Sequence, residues 1–191
     1  MTDASRPAGR KQLLLLAAIF IGPLLIAFLL YFKGDALQPE GRTNHGDLLE
    51  PIVAVRDSLP ESPVLQQTEE HWVLLYANAG ACDESCRESL YTLRQTRLMI
   101  GREMDRVKRV FLHGAEPPDT VFLEAEHQGL AVIRDDQLFE LLLDKTPQQL
   151  SQGGYYLIDP LSNVVLYFSP DVDPQDVVSD IKRLLKLSRI G

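Results

Sequence analysis

The longest uninterrupted apolar stretch of the chain lies near its start. Leu13 to Phe32 is a run of 20 residues without a charge, broken only by Gly22 and Pro23. A helix needs about 20 apolar residues to cross the hydrocarbon layer of a bilayer, so the length fits a transmembrane span over 13–32. Proline and glycine are tolerated in such a helix because neighbouring groups re-satisfy the backbone they free. The pattern then turns polar. Asp35 to Asp47 (DALQPEGRTNHGD) reads as a tether, and residues 33–70 together are expected to form a tether and N-terminal extension. Within it, Ile52 to Val55 is the one candidate short strand, and Pro60 and Pro63 interrupt the segment beyond it.

From His71 onward the pattern predicts a folded domain, 71–191. Trp72 to Tyr76 is a short apolar run rich in strand formers, followed by the small-residue loop Ala77-Asn78-Ala79-Gly80-Ala81. Cys86, Leu90, Leu93, Ile100, Met104 and Val107 then recur at helical spacing, with Arg97 the one polar intruder in the stripe. A strand over Arg109 to Leu112 ends at His113, Glu116 to Asp119 opens a helix around Val121 to Gln128, and Gly129 stops it. Leu130 to Ile133 reads as a strand and Asp136 begins another helix through Leu143. Tyr155 to Ile158 and Val164 to Phe168 flank a turn-forming segment and predict a hairpin. Asp173 caps a last helix with Pro174 at its first position and Val177, Val178, Ile181, Leu184 and Leu185 as its buried stripe. The order strand, loop, helix, strand, helix, strand, helix, hairpin, helix is that of an α/β sheet of thioredoxin-like arrangement.

Charge adds direction and an exclusion. Arg6, Arg10 and Lys11 precede the apolar run against only Asp3, so the positive-inside rule leaves residues 1–12 in the cytoplasm and exports everything after Lys33. The expected location is a cytoplasmic (inner) membrane, crossed once, with the C-terminal domain in the periplasm. A cleaved signal peptide competes, since Gly34-Asp35-Ala36 resembles a cleavage site; the apolar core is longer than a usual signal segment and favours a retained anchor. From Lys33 on there are 16 basic and 26 acidic side chains, a balance of −10 that repels phosphate backbones, so no nucleic-acid partner is expected.

The candidate chemistry is in the first strand–helix loop. The two cysteines of the chain, Cys82 and Cys86, stand in Cys-Asp-Glu-Ser-Cys where the strand ends and the helix begins. They can meet as a disulfide only if Cys82 stays in the loop, and Cys86 belongs to the buried stripe, so Cys82 is the expected attacking thiol. Asp83, Glu84 and Glu88 outnumber the single cation Arg87 around them, which points to a reducible dithiol or a soft-metal site, two thiolates suiting Cu(I). A plain structural disulfide is the alternative reading, although a loop of three intervening residues makes a poor staple.

These residues resemble the Sco (SenC) family, the thioredoxin-like copper proteins of cytochrome c oxidase assembly, over roughly Trp72 to Leu187. The resemblance rests on the single anchor, on Cys82-x-x-x-Cys86 after a buried strand, on Pro118-Asp119-Thr120 opening the next helix, and on Tyr156-Leu157-Ile158-Asp159-Pro160 heading a hairpin that ends in Leu166-Tyr167-Phe168. The stretch from Gly80 to Cys86, with Leu90 to Gln95, is similar to a Sco-like membrane-protein subgroup encoded with oxidase assembly factors in proteobacteria. The resemblance implies copper held by both cysteines and a histidine shortly before the Tyr-Leu-Ile strand. That stretch here reads Leu150-Ser151-Gln152-Gly153-Gly154-Tyr155, without a histidine, and it also lacks the proline that thioredoxins place before this strand. His113, at the end of the strand after the cysteine helix, is the candidate substitute ligand; His45, His71 and His127 are expected at the surface.

Two function classes are consistent with these features. One is an assembly factor whose Cys82–Cys86 dithiol reduces cysteines of a cytochrome c oxidase subunit or another assembly factor, or passes Cu(I) to it, with thiol–disulfide oxidoreductase activity left open. The other is a non-catalytic thioredoxin-like interaction module holding a structural disulfide.

Overall fold

The computed structural model describes residues 7–32, 44–146, 153–188 and 190. The chain divides into two compact units, Met1–Thr43 and Asn44–Gly191. In the first, Pro7–Phe32 is one α-helix, α1, with Pro23 inside it. Its segment Lys11–Leu29 has a mean hydropathy of 2.5 and is long and apolar enough to cross a membrane.

The second unit is a six-stranded sheet sandwiched between helices. In chain order it contains β1 (Asp47–Ala54), α2 (Val55–Ser58), α3 (Leu65–Thr68), β2 (Trp72–Asn78), α4 (Glu84–Ile100), a 3₁₀ turn (Gly101–Arg106), β3 (Val107–His113), α5 (Thr120–Glu126), β4 (Leu130–Ile133), α6 (Asp136–Lys145), β5 (Gly154–Ile158), β6 (Asn163–Phe168) and α7 (Pro174–Leu187). The sheet order is β1-β6-β5-β2-β3-β4. β2, β3 and β4 run parallel, while β5 and β6 form the expected antiparallel hairpin beside β2.

All seven residues of β2 are buried, because both faces of this central strand are covered. On one face Trp72, Leu74, Tyr76 and Phe111 pack with Cys86, Leu90 and Leu93 of α4 and Val177, Ile181 and Leu185 of α7. On the other, Val73, Leu75, Val110 and Leu112 pack with Leu138, Phe139 and Leu142 of α6. The alternation along β2 and β3 is the period-two pleat of a strand.

Three expectations change. The helical stripe does not run on to Val107: α4 stops at Gly101, whose φ of 77° is left-handed, and a 3₁₀ turn carries Met104 while Val107 opens β3. Ile52 and Val53 lie in a longer strand, β1, which pairs antiparallel with β6 at the sheet edge, so the folded unit takes in the segment from Asn44 to Glu70. His127 is 3% exposed rather than at the surface, its ring edge-on to Phe122 at 5.1 Å, beside a cavity that α5 forms with Arg87, Tyr91 and Arg94 of α4. His45 keeps an exposed side chain, yet the buried carboxylate of Asp180 on α7 accepts the backbone N–H groups of His45 (2.7 Å) and Gly46 (3.0 Å). His71 is half-buried, with its Nδ1 2.7 Å from the Glu69 carbonyl.

Candidate functional site

The site forms where β2 hands the chain to α4. Asn78, the buried last residue of β2, turns the loop by accepting from the Gly80 N–H at 3.1 Å. Asp83 then caps α4: its side chain accepts from the Cys86 N–H at 3.1 Å, and its carbonyl accepts from the Arg87 N–H at 3.0 Å. Cys82 therefore lies one residue outside the helix, which is what lets it reach Cys86. The two form a disulfide with Cα atoms 4.9 Å apart, within the usual range of about 4.4–6.8 Å. Cys86 is 1% exposed inside the apolar cluster; Cys82 packs against that cluster and is half-buried.

A cavity of about 440 Å³ opens beside the bond, lined by Tyr76, Asn78, Asp83, Cys86, Pro170 and Asp171 among others. Pro170 and Asp171 come from the loop after β6, and nothing in their spacing or composition marks them; only the fold brings them beside Cys86. Tyr76 stacks on Phe111 at 5.8 Å between ring centres, and burial pushes its phenol above the ordinary range, so it presents a neutral hydroxyl. Its neighbour Tyr155 is pushed up to about 12 by burial, and its hydroxyl donates to the Ser89 carbonyl at 3.1 Å.

The electrostatics around the bond are more acidic than the residue count suggests. Arg87, the cation next to the pair in sequence, turns to Asp119 of the α5 cap at 3.5 Å and lies over the Phe122 ring at 4.6 Å. Asp83 and Asp171 are the carboxylates that line the cavity beside the bond, and Asp83 also accepts from the Cys86 N–H, while Glu84 and Glu88 line a separate cavity with Arg87. Such surroundings disfavour the thiolate and with it the reduced form's stabilisation, the opposite of a strongly oxidising site.

The fold brings His113 to the same end of the sheet, opposite Asn78 in the β2–β3 register. Its Nδ1 is 2.9 Å from the Gly114 carbonyl, which can only accept, so the Nδ1–H donates there. Gly114 is required here, because a Cβ would stand 2.1 Å from the Ala79 carbonyl oxygen where the two loops meet. Among the described residues, no group of three His, Cys, Asp or Glu side chains stands close enough to hold a metal. Gly153 and Gly154, in the stretch where a Sco protein carries its histidine, pass so near that a Cβ would lie 2.6 Å from the Tyr76 hydroxyl and from the Tyr167 ring respectively. A three-ligand copper site of the Sco type thus does not fit the described residues, and the donors left are the two sulfurs.

This fold and this cysteine placement define a thioredoxin-like protein. A family profile described as transmembrane-like, thioredoxin-like, C-terminal domain matches residues 72–188, and one described as transmembrane-like, N-terminal domain matches residues 3–34. The chain belongs to this transmembrane-like, thioredoxin-like family. No curated protein sequence matches it. Among solved structures it is similar to yeast Sco1 with copper bound, at 14% identity and a TM-score of 0.52 over 65% of this chain and 84% of that one. It is similar also to copper-bound ScoI of Arabidopsis thaliana, at 17% identity and a TM-score of 0.50 over 65% and 89%. At these identities the likeness is one of fold.

Proposed function

We propose that this protein is a membrane-tethered thiol–disulfide exchange factor that reduces cysteines of a cytochrome c oxidase subunit or of another oxidase assembly factor. The observation that carries the reading is the unequal placement of the pair: Cys82 is half-exposed in the loop, while Cys86 is buried at the wall of the neighbouring cavity. In the reduced protein the Cys82 thiolate attacks one sulfur of a partner disulfide, forming a mixed disulfide as the partner's first thiolate leaves. The Cys86 thiolate then attacks the Cys82 sulfur, the partner's second thiolate leaves, and the Cys82–Cys86 bond is restored. Two electrons pass to the partner, whose thiolates take up the two protons lost by the dithiol. The acidic surround supports this direction. The oxidase as destination rests on the order of Sco-like motifs along the sequence, and α1 supplies the tether, with the folded unit in the periplasm.

A second use of the reduced pair is Cu(I), which two thiolates suit and which the Sco resemblance implies; the described residues offer it no third ligand. The competing module reading treats the bond as structural. So short a loop contributes under about 3 kcal/mol of stability, which leaves little for a bond without chemistry to do.

The test uses the full chain in cells lacking the wild type. Cys82→Ser is expected to lower oxidase maturation under copper limitation at unchanged membrane abundance, with the domain still folded and only the small loss of melting temperature that so short a disulfide loop allows. Normal oxidase activity with a stably expressed Cys82→Ser/Cys86→Ser double variant would overturn the exchange mechanism. Brief alkylation of the reduced chain should label Cys82 before Cys86.

A further inference from the structure

Arg97, the polar residue that interrupts the apolar stripe of α4, belongs to a second site. One helical turn apart, Arg94 and Arg97 face the same way, and with Arg109 of β3 and Glu126 of α5 they line a cavity of about 420 Å³. Arg109 is 6% exposed, and its Nη1 is buried without a hydrogen-bond partner; Nη2 donates to the Gln128 carbonyl at 2.6 Å. Among the described residues no carboxylate lies within ion-pair distance of it. Arg97 gives its Nε to the Val107 carbonyl (2.6 Å) and Nη2 to Asp105 (3.3 Å), and Arg94 reaches the Glu126 backbone and, at 3.5 Å, its carboxylate. Three guanidinium groups thus share a cavity with one lining carboxylate, in a domain whose net charge is strongly negative.

A buried, unpaired cation is costly and is retained only where something compensates it. We propose that this cavity binds a phosphate-type oxyanion through Arg94, Arg97 and Arg109. Guanidinium donors match tetrahedral oxyanions in their fork geometry, and three of them converging suit a multiply charged anion better than a planar monocarboxylate. Burial, together with repulsion from Arg97 and Arg94, lowers the Arg109 pKa, which is the strain a bound dianion would relieve. The anion is a free phosphate or the phosphomonoester headgroup of a lipid, since the two share this chemistry.

The full-length protein in a neutral detergent is titrated calorimetrically with inorganic phosphate, pyrophosphate and glycerol phosphate, against potassium chloride at matched ionic strength. Saturable binding with a raised melting temperature is expected, absent with chloride. Arg109→Gln and, separately, Arg97→Gln should each weaken it roughly tenfold or more, as loss of a charge-assisted hydrogen bond does. Glu126→Gln should tighten it, by removing the competing carboxylate. Preference for glycerol phosphate identifies the headgroup, and preference for the inorganic anions the free ligand. Absence of saturable binding by all three anions, or binding left unchanged by both arginine variants, would overturn the site; Arg97→Gln decides it if Arg109→Gln fails to fold.

Discussion

The two ends of α4 carry opposite chemistry on one helix. At its start, Asp83 and, from the loop after β6, Asp171 stand beside a disulfide, and Arg87 is engaged by Asp119 and the Phe122 ring. Three turns on, Arg94 and Arg97 join the buried Arg109 around a cavity with a single carboxylate. Between them the same helix buries Leu90 and Leu93 at 0% exposure against the sheet. The helix is held by its apolar stripe, and that leaves its two polar ends free to serve separate purposes. Acid is placed where a thiolate is to be disfavoured, and base where a buried cation awaits an anion.

The largest effect tests the shared apolar stripe. Leu90→Ala should destabilise the domain by about 2–5 kcal/mol, since no solvent reaches the site to fill the cavity left. Leu98→Ala, at a half-exposed position lining the arginine cavity, should cost far less. Denaturant unfolding of the pair checks this, and equal losses would mean that the stripe is not what holds α4. A second measurement separates the polar ends. In phosphate-free buffer Arg109→Met should leave stability unchanged or raise it by about 1–4 kcal/mol, because a buried charge without a partner is replaced by apolar packing. A clear drop in melting temperature would show that Arg109 is already compensated.

At the acidic end, Asp83→Ala removes both the cap of α4 and a negative charge beside the disulfide. It should lower stability by about 1 kcal/mol and shift the dithiol potential upward, read by equilibration with glutathione. An unchanged potential would separate the charge of Asp83 from the redox chemistry. The smallest effect is one of pH. Burial, and then Arg94 and Arg109, hold the pKa of His127 below its ordinary value of 6.5. The folded state thus binds this proton less readily than the unfolded chain. The stability tied to His127 is complete above about pH 6.5 and declines as pH falls below it, until the folded-state pKa is reached. His127→Gln should flatten this part of the profile of melting temperature against pH between 7 and 5 relative to wild type, and an unchanged slope would place the titration elsewhere.

Between Trp72 and Leu187 the order of elements, the hairpin, the three helices beyond β3 and the position of the disulfide can all be read from local sequence. They arise from local periodicity and from residues with strong backbone preferences, such as Pro174 after Asp173 or Gly129 after α5. The membrane-length helix is equally legible, because twenty uncharged residues in a row are by themselves long and apolar enough to cross a bilayer as a helix. The long-range pairings are not legible in this way. Strand β1 is mostly exposed and sits at the sheet edge, so its sequence lacks the alternation that burial imposes, and only its pairing with β6 defines it. The end of α4 at Gly101 is hidden because Met104 and Val107 continue the helical spacing while belonging to other elements. Which charges face one another is set by tertiary packing alone. Arg109 is 12 residues beyond Arg97 in sequence and on a different element, and Asp171, in the loop after β6, lines the same cavity as Cys86. Periodicity reports which face of an element is buried; only packing of one element on another tells what that face will meet.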